Sequence, residues 1–422
     1  MTIPATASAG LPSDRSFSRP HAKRRSARLW QVAVLLCVLP LIFQSFHYVV
    51  DVRPLYLLSK IMPMVLAPFA VAAFLFGRLP YRGWFVALGL YALLVTPILS
   101  AINFGEGGVA ALSTQIKLLP ISYYFSFFAV LWLLRPSYDE LVRSVVLLAL
   151  VSLALFPLLW AVTPEWTYYQ SDEETKVFLY DPERGFRIVV PPFFVEIFIF
   201  YQNRRFWATR RPLCLVLVAC SFVMLLLFYK ERTTIAGLFA VVLFAALAGQ
   251  SLSRKAVLCV VMAALAGIAV GIGIFSNLSE SGSLTVRQGT IAIALAALNH
   301  EPIGWLIGLG TVSHFREESF IQLYGHTFFL ADIGVLGIIY EYGVVGCLLF
   351  AAIYVKILQY FRTRLAFTED PFLFAFRDQI RFQILTAIIL PITYAPAEWA
   401  ATLGLFVYFR RRIEERLQPR LG

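Results

Sequence analysis

The sequence predicts an all-α fold: a polytopic membrane helical bundle of about twelve transmembrane helices, with one large outer loop containing a short surface helix. Three observations predict it. Of 422 residues, 59% are hydrophobic and 14% charged, and mean hydropathy is +0.74. A soluble domain is charged at about a quarter of its positions and has no interior large enough for so much apolar side chain. The apolar residues fall in runs of span length, and positive charge returns in every second gap between the runs. This composition excludes disordered, collagenous and disulfide-scaffold classes. The five cysteines, Cys37, Cys214, Cys220, Cys259 and Cys347, lie scattered in apolar runs with no CxxC pair, and read as small core residues.

A span takes about 20 mostly apolar residues. Such runs occupy 30–50, 57–77, 83–103, 118–134, 142–162, 188–203, 212–229, 233–249, 256–276 and 327–358. Pro40, Pro63, Pro97, Pro157 and Pro192 fall inside them and mark kinks. A last apolar stretch, 383–409, would be about 40 Å long as one helix, too much for an upright span. Pro391 and Pro396 sit in its middle, so it is expected to fold as a short hairpin, 380–395 and 398–409, giving twelve spans. One tilted helix, giving eleven, is the alternative.

Arg78 and Arg82 follow the second span, Arg135 and Arg143 the fourth, Arg204, Arg205, Arg210 and Arg211 the sixth. Arg254 and Lys255 follow the eighth, and Arg362, Arg364, Arg377 and Arg381 the tenth. The positive-inside rule puts these loops in the cytoplasm, together with the tails 1–29 and 410–422, which hold Arg15, Lys23, Arg24, Arg410, Arg411 and Arg412 among others. The tail 1–29, rich in Ser and Arg, reads as a disordered segment before the bundle of 30–409. The net charge of +11 is thus mostly topology. A nucleic-acid partner would need the basic residues gathered on a soluble domain, and no such domain is present.

Two outward loops exceed the rest. Residues 163–187 are polar and acidic, and 277–326 form the largest soluble piece. Within the latter, Thr290 to Leu298 is apolar but too short to span, and is expected to lie along the membrane surface or over the bundle. Loops this long in a compact chain usually carry function. The sequence has no internal repeat of the kind many transporters show.

Arg187, Arg232 and Arg287 stand on the outer side, where the charge rule disfavours them. A guanidinium fork matches phosphate oxygens two at a time and keeps its charge when partly desolvated. Ion pairs with Glu183 or Glu231, or contact with lipid headgroups, are the plainer alternatives. Of five histidines, His300, His314 and His326 fall in the outer loop or at its end. His326 opens the tenth span, where an imidazole can take a proton near neutral pH or simply cap the helix. The gaps between the three fit no metal-ligand spacing. Glu196, Asp332 and Glu341 lie inside spans: they read as a proton path, or as partners of the arginines, Tyr340 or Tyr342. Gly334, Gly337, Gly343 and Gly346 suit close helix packing. Gly304, Gly308 and Gly310 make a turn-rich segment that lacks the GK[ST] ending of a P-loop.

With these residues the chain resembles the O-antigen ligase and polymerase family of bacterial membrane glycosyltransferases, over roughly Arg187 to Gly346. An outer Arg opens a span in Arg232-Thr233-Thr234, and Arg287 precedes Asn299-His300-Glu301-Pro302-Ile303-Gly304-Trp305, similar to the family's P-I-x-G segment. His326 then precedes Gly337 by ten intervening residues, as in its H-x10-G signature. The family's R-x3-L is met only by Arg287 and Ile291, and its Asn or Ser after the histidine is Thr327 here. The resemblance implies a bacterial inner membrane protein with both termini cytoplasmic and a periplasmic active site. Its donor would be an undecaprenyl-diphosphate-linked oligosaccharide, and its acceptor a second glycan, for a polymerase, or a lipid core, for a ligase. The polymerase is preferred on the breadth of the family alone. Arg187, Arg232 and Arg287 would hold the diphosphate and His326 would act as base; no cofactor is expected, because the lipid diphosphate is itself a good leaving group. A proton-coupled transporter or flippase of a lipid-linked sugar is the rival reading.

Overall fold

The computed structural model describes residues 29–46, 49, 52–169, 177–181, 184–190, 192–247, 282–312, 328, 330, 333–364, 370–387 and 396–417. The tail 1–28, the expected span 256–276, Glu183, His314, His326, Thr327 and Asp332 lie outside these residues.

Helices dominate, as the hydropathy runs require. The first half holds α1 (Leu29–Ile42), α2 (Arg53–Val65), α3 (Ala67–Phe76), α4 (Arg82–Leu90), α5 (Thr96–Phe104), α6 (Gly108–Ser113), α7 (Tyr123–Leu134), α8 (Tyr138–Val162) and α9 (Glu165–Tyr169). Strands β1 (Phe178–Asp181) and β2 (Gly185–Ile188) follow as an antiparallel hairpin. The second half holds α10 (Phe193–Thr209), α11 (Pro212–Met224), α12 (Arg232–Leu247), α13 (Gly282–His300), α14 (Ile303–Ile307), α15 (Gly334–Arg364), α16 (Pro371–Thr386) and α17 (Pro396–Leu417). Six helical stretches are long and apolar enough to cross a membrane: Arg53–Phe76, Arg82–Phe104, Ile116–Leu134, Tyr138–Val162, Pro212–Tyr229 and Gly334–Arg362. The chain is therefore an all-α, membrane-embedded bundle in the main, with one small hairpin.

Local chemistry sets the boundaries. Pro63 and Pro68 bracket the interruption at Leu66 between α2 and α3. A π-helical turn, Tyr91–Val95, joins α4 to α5 just before Pro97, which has no N–H to keep the ordinary ladder. Ser137 caps α8: its Oγ accepts from Glu140 N, while the Glu140 carboxylate accepts from Ser137 N at 2.7 Å. The span expected over 188–203 is shifted. Ile188 is the last residue of β2, Pro192 stands at the start of α10, and the helix runs on to Thr209. Proline suits a first turn and not the interior of a span, which explains the shift.

α10 lies at the centre. All residues from Phe193 to Phe200 are buried, packed by α8, α11, α12 and α16. At one end of the bundle the basic segments meet. Arg204 forks onto Asp378 (Nε to Oδ2 2.6 Å, Nη2 to Oδ1 2.9 Å), and Arg381 and Arg377 approach the same carboxylate at 3.2 and 3.8 Å. Tyr138 bonds Asp370 at 2.8 Å, Tyr408 bonds the carbonyl of Pro136 at 2.9 Å, and Arg411 donates to the carbonyls of Gly77 and Arg78. Arg377 and Arg381, expected in a loop, lie within α16, where Asp378 is fully buried by their guanidinium groups.

Over 383–409 the chain forms two helices. Gln383 Nε2 donates to Glu398 Oε2 at 2.5 Å, whereas 15 residues of continuous helix would separate the two by about 22 Å. The chain must turn back between α16 and α17. The first of these begins at Pro371, nine residues before the expected boundary.

α15 is broken in its middle. Gly343 adopts φ 65° and ψ −178°, and the extended segment after α14 passes through the gap. Leu309 N donates to Tyr340 O at 2.7 Å, Gly310 N to Glu341 O at 3.2 Å, and Tyr91 OH to both Ile307 O (2.8 Å) and Tyr342 O (2.9 Å). Carbonyls freed by the break thus find donors inside the protein, as an apolar surrounding demands. Leu309, Thr311 and Val312, read in the sequence as outer loop, are buried here.

Candidate functional site

At the end of α10 opposite the Arg204–Asp378 pair, the hairpin covers the bundle. Alternating aromatic residues hold it: Tyr168 packs on Phe186 (ring centroids 4.9 Å apart) and Tyr169 on Tyr180 (4.6 Å). β2 also packs on the wide turn Leu225–Tyr229 that ends α11. This places Arg187, paired across the hairpin with Leu179, beside the short link Lys230-Glu231 that leads into α12.

Asp181 Oδ2 lies 3.3 Å from Arg184 Nε and 3.6 Å from Arg187 Nη1. Lys230 Nζ donates to the Arg184 carbonyl at 3.0 Å, and Tyr229 OH donates to the Glu231 carboxylate. The Arg187 side chain is 11% exposed, and among the described residues its buried Nε has no hydrogen-bond partner, while the buried Arg184 Nε has only its ion-pair contact with Asp181. Burial, then the Arg184 charge, holds the Arg187 guanidinium below the ordinary arginine range, against the pull of Glu231, Tyr229 and Asp181. Burial, then Arg187, lowers the Lys230 ammonium. Among the described residues three cations therefore share two carboxylates, and Arg232, half-buried as the first residue of α12, follows directly. Counted over the described residues, such a group has capacity left for an anion: N–H donors without a partner and more positive than negative charge.

The expected site residues divide between two places. Arg187 and Arg232 belong to the hairpin end. Arg287 is on α13, half-buried, with Nε buried and unpartnered. Among the described residues no hydrogen bond or ion pair joins it to the hairpin cluster. α13 is longer than the surface segment expected from Thr290 to Leu298 and packs on α14 and α15, with Ala294 and Leu298 buried against Phe328, Leu330, Ile333 and Tyr340. Phe328, two residues beyond His326, thus shares a core with the helix that carries Arg287. His326 itself is outside the described residues. His300 ends α13 and is exposed. Among the described residues no three His, Cys, Asp or Glu side chains stand together as metal ligands.

The intramembrane acids have partners that the sequence reading did not name. Glu341 is bound by Lys117 Nζ at 2.5 and 2.7 Å, in place of an arginine or a neighbouring tyrosine. Tyr342 OH bonds Gln115 at 3.0 Å, and the Tyr340 ring packs on Phe328. Glu196 accepts from Gln379 Nε2 at 2.6 Å. Two glycines of α15 serve close packing: a Cβ on Gly337 would lie 2.3 Å from the Leu330 carbonyl oxygen and one on Gly346 3.3 Å from the Tyr91 ring, whereas Gly343 is the break in the helix.

Compared with known proteins, the chain matches no family model and no curated protein. The functional reading rests on the residues themselves.

Proposed function

We propose that this protein is an inverting membrane glycosyltransferase of the O-antigen polymerase or ligase type, using an undecaprenyl-diphosphate-linked glycan at the periplasmic face of the bacterial inner membrane. The observation that carries the reading is the hairpin cluster: Arg184, Arg187 and Lys230, with Arg232 beside them, form a partly buried cationic group at the end of the bundle away from its basic loops. A diphosphate is the anion such forks fit. It is also the group on which charge grows as a glycosyl bond to it breaks, so the same cations lower the barrier to its departure.

In the proposed reaction the acceptor hydroxyl oxygen attacks the anomeric carbon from the side opposite the diphosphate. The new C–O bond forms as the old one breaks, and the lipid diphosphate leaves with the electron pair. His326 takes the hydroxyl proton. A single displacement inverts the anomeric centre, unlike hydrolysis by two carboxylates through a covalent intermediate. Arg287, on α13 apart from the hairpin cluster, is assigned to the second phosphate or to the sugar of the donor. The transport reading relies on Glu196, Asp332 and Glu341 as proton carriers, and Glu341 is already bound as a carboxylate by Lys117.

The test is incubation of the purified protein with lipid-linked oligosaccharide, alone and with a lipid-core acceptor. A ladder without the core identifies a polymerase, which the reading prefers. Transfer only to the core identifies a ligase. No new glycosidic bond in either arm, from protein that still binds the lipid donor, would refute the enzyme.

A further inference from the structure

Deep in the bundle, Glu196 on α10 and Glu398 on α17 flank the amide of Gln379 on α16. Glu196 is 5% exposed and Gln379 is fully buried. Gln379 Nε2 donates to Glu196 Oε2 at 2.6 Å, and Glu398 lies near enough to feel both Gln379 and Glu196. Gln383 Nε2 donates to Glu398 Oε2 at 2.5 Å, and its own Oε1 faces Tyr354 OH at 3.4 Å. Among the described residues, the hydrogen bonds to these two carboxyl groups come from neutral amides, Gln379 to Glu196 and Gln383 to Glu398.

Among the described residues no ion pair reaches either carboxyl group. α8 carries Asp139, Glu140 and Arg143 only in its first two turns, at the basic end, and α11 and α7 carry no charged residue. α12 contributes Arg232 and the preceding Glu231, itself an acid within electrostatic reach of Glu196. Lys117, in the turn that packs on α17, is committed to Glu341. On α16 the neighbouring Arg377 and Arg381, like Arg204 from α10, are gathered on Asp378. A second observation points the same way: Gln379 Oε1 is buried and has no donor. So is Thr402 Oγ1, one turn beyond Glu398 on the same face of α17. Among the described residues the amide oxygen of Gln379 is thus a buried acceptor that no donor reaches, and the Thr402 hydroxyl, which can donate or accept, is also without a partner.

We propose that Glu196, Gln379 and Glu398 form a proton-binding site in the bundle core, in which the two carboxyl groups hold one proton between them. Two adjacent carboxylates in an apolar medium do not both ionise without a cation. One proton removes one charge and supplies the O–H donor that the buried amide oxygen lacks. The network then runs across α15, α16, α17 and α10 from Tyr354 to Glu196. The site is independent of glycosyl transfer and would exist whether the chain is an enzyme or a transporter.

Infrared spectroscopy of the full protein in lipid nanodiscs at neutral pH tests this. The expected result is a protonated-carboxyl C=O band that shifts when glutamate is 13C-labelled and is lost in Glu196→Gln/Glu398→Gln. The wild-type measurement stands alone if the double variant fails to fold: a spectrum with no glutamate carboxyl band overturns the proposal. So does a band that disappears when sodium replaces choline at fixed pH, which would make the site one for a metal cation. A band unchanged in the folded double variant places the proton on another glutamate and also overturns it.

Discussion

Lys230 Nζ donates to the backbone carbonyl of Arg184 at 3.0 Å, across 46 residues of chain. That bond ties the turn before α12 to the hairpin and brings the Lys230 and Arg187 charges close enough to repel. Like charges held together in a half-buried place are costly unless an anion joins them.

An anion should therefore raise stability. Undecaprenyl diphosphate at 100 times its Kd should stabilise the folded protein by about 2.7 kcal/mol. The thermal midpoint in detergent should rise with the diphosphate lipid and much less with uncharged undecaprenol. The rise should shrink in Arg187→Ala.

Lys230 sets a pH dependence. Its proton is lost below the pH at which an ordinary lysine would lose one, so donor affinity should fall as pH rises through that lowered value. Lys230→Arg should keep binding to higher pH. For folding the sign is opposite. Between the lowered folded value and the ordinary unfolded one the unfolded chain binds more protons, so the Lys230 contribution to stability rises with pH across that window. Binding isotherms of wild type and Lys230→Arg across the alkaline range check the first statement, and their unfolding midpoints over the same range check the second.

At the other buried pair, Lys117→Met leaves the Glu341 carboxylate alone at 2% side-chain exposure. Breaking a buried pair from one side costs about 3–5 kcal/mol, while replacing both partners by apolar residues is close to neutral. Lys117→Met should unfold at a clearly lower temperature, and Lys117→Met/Glu341→Leu should recover most of the loss.

Gly343→Ala should be worse than most single changes. Its φ of 65° is left-handed, and a Cβ would lie 2.3 Å from Leu306 O and 2.5 Å from Gly308 N. Both atoms are backbone and cannot swing aside. A loss above about 2 kcal/mol is expected, by thermal unfolding, from strain and from the hydrogen bonds around the break.

The spans were legible because a membrane imposes a length and a composition, which is why 212–229 and 118–134 match helical stretches almost to the residue. The basic loops were legible for the same reason, and the contact of Arg411 with Gly77 and Arg78 joins two of them. The hairpin was not read. Its strands are four residues long, and the alternation of Phe178, Tyr180, Phe186 and Ile188 is too brief to stand out among acids. Arg184 and Lys230 carry no local pattern that marks them as part of a site, although Lys230-Glu231-Arg232 runs straight into α12. Lys117 was passed over because it sits one residue before an apolar run. Its partner Glu341 is 224 positions away, a pairing that no local pattern encodes.

Arg187 and His326 should fail differently. His326→Ala should slow turnover with a modest change in donor affinity, whereas Arg287→Ala and Arg187→Ala should lower both, and Arg187→Lys should recover little because a point charge loses the fork. Single-turnover rates and donor Kd for each variant separate the roles.

The most direct measurement is equilibrium binding of undecaprenyl diphosphate, without sugar, to wild type and to Arg187→Ala, in protein whose folding is checked by its unfolding midpoint. The account predicts saturable binding that weakens about ten- to a hundredfold on loss of the guanidinium, the size expected for charge-assisted hydrogen bonds. Equal affinity of the two proteins would contradict it.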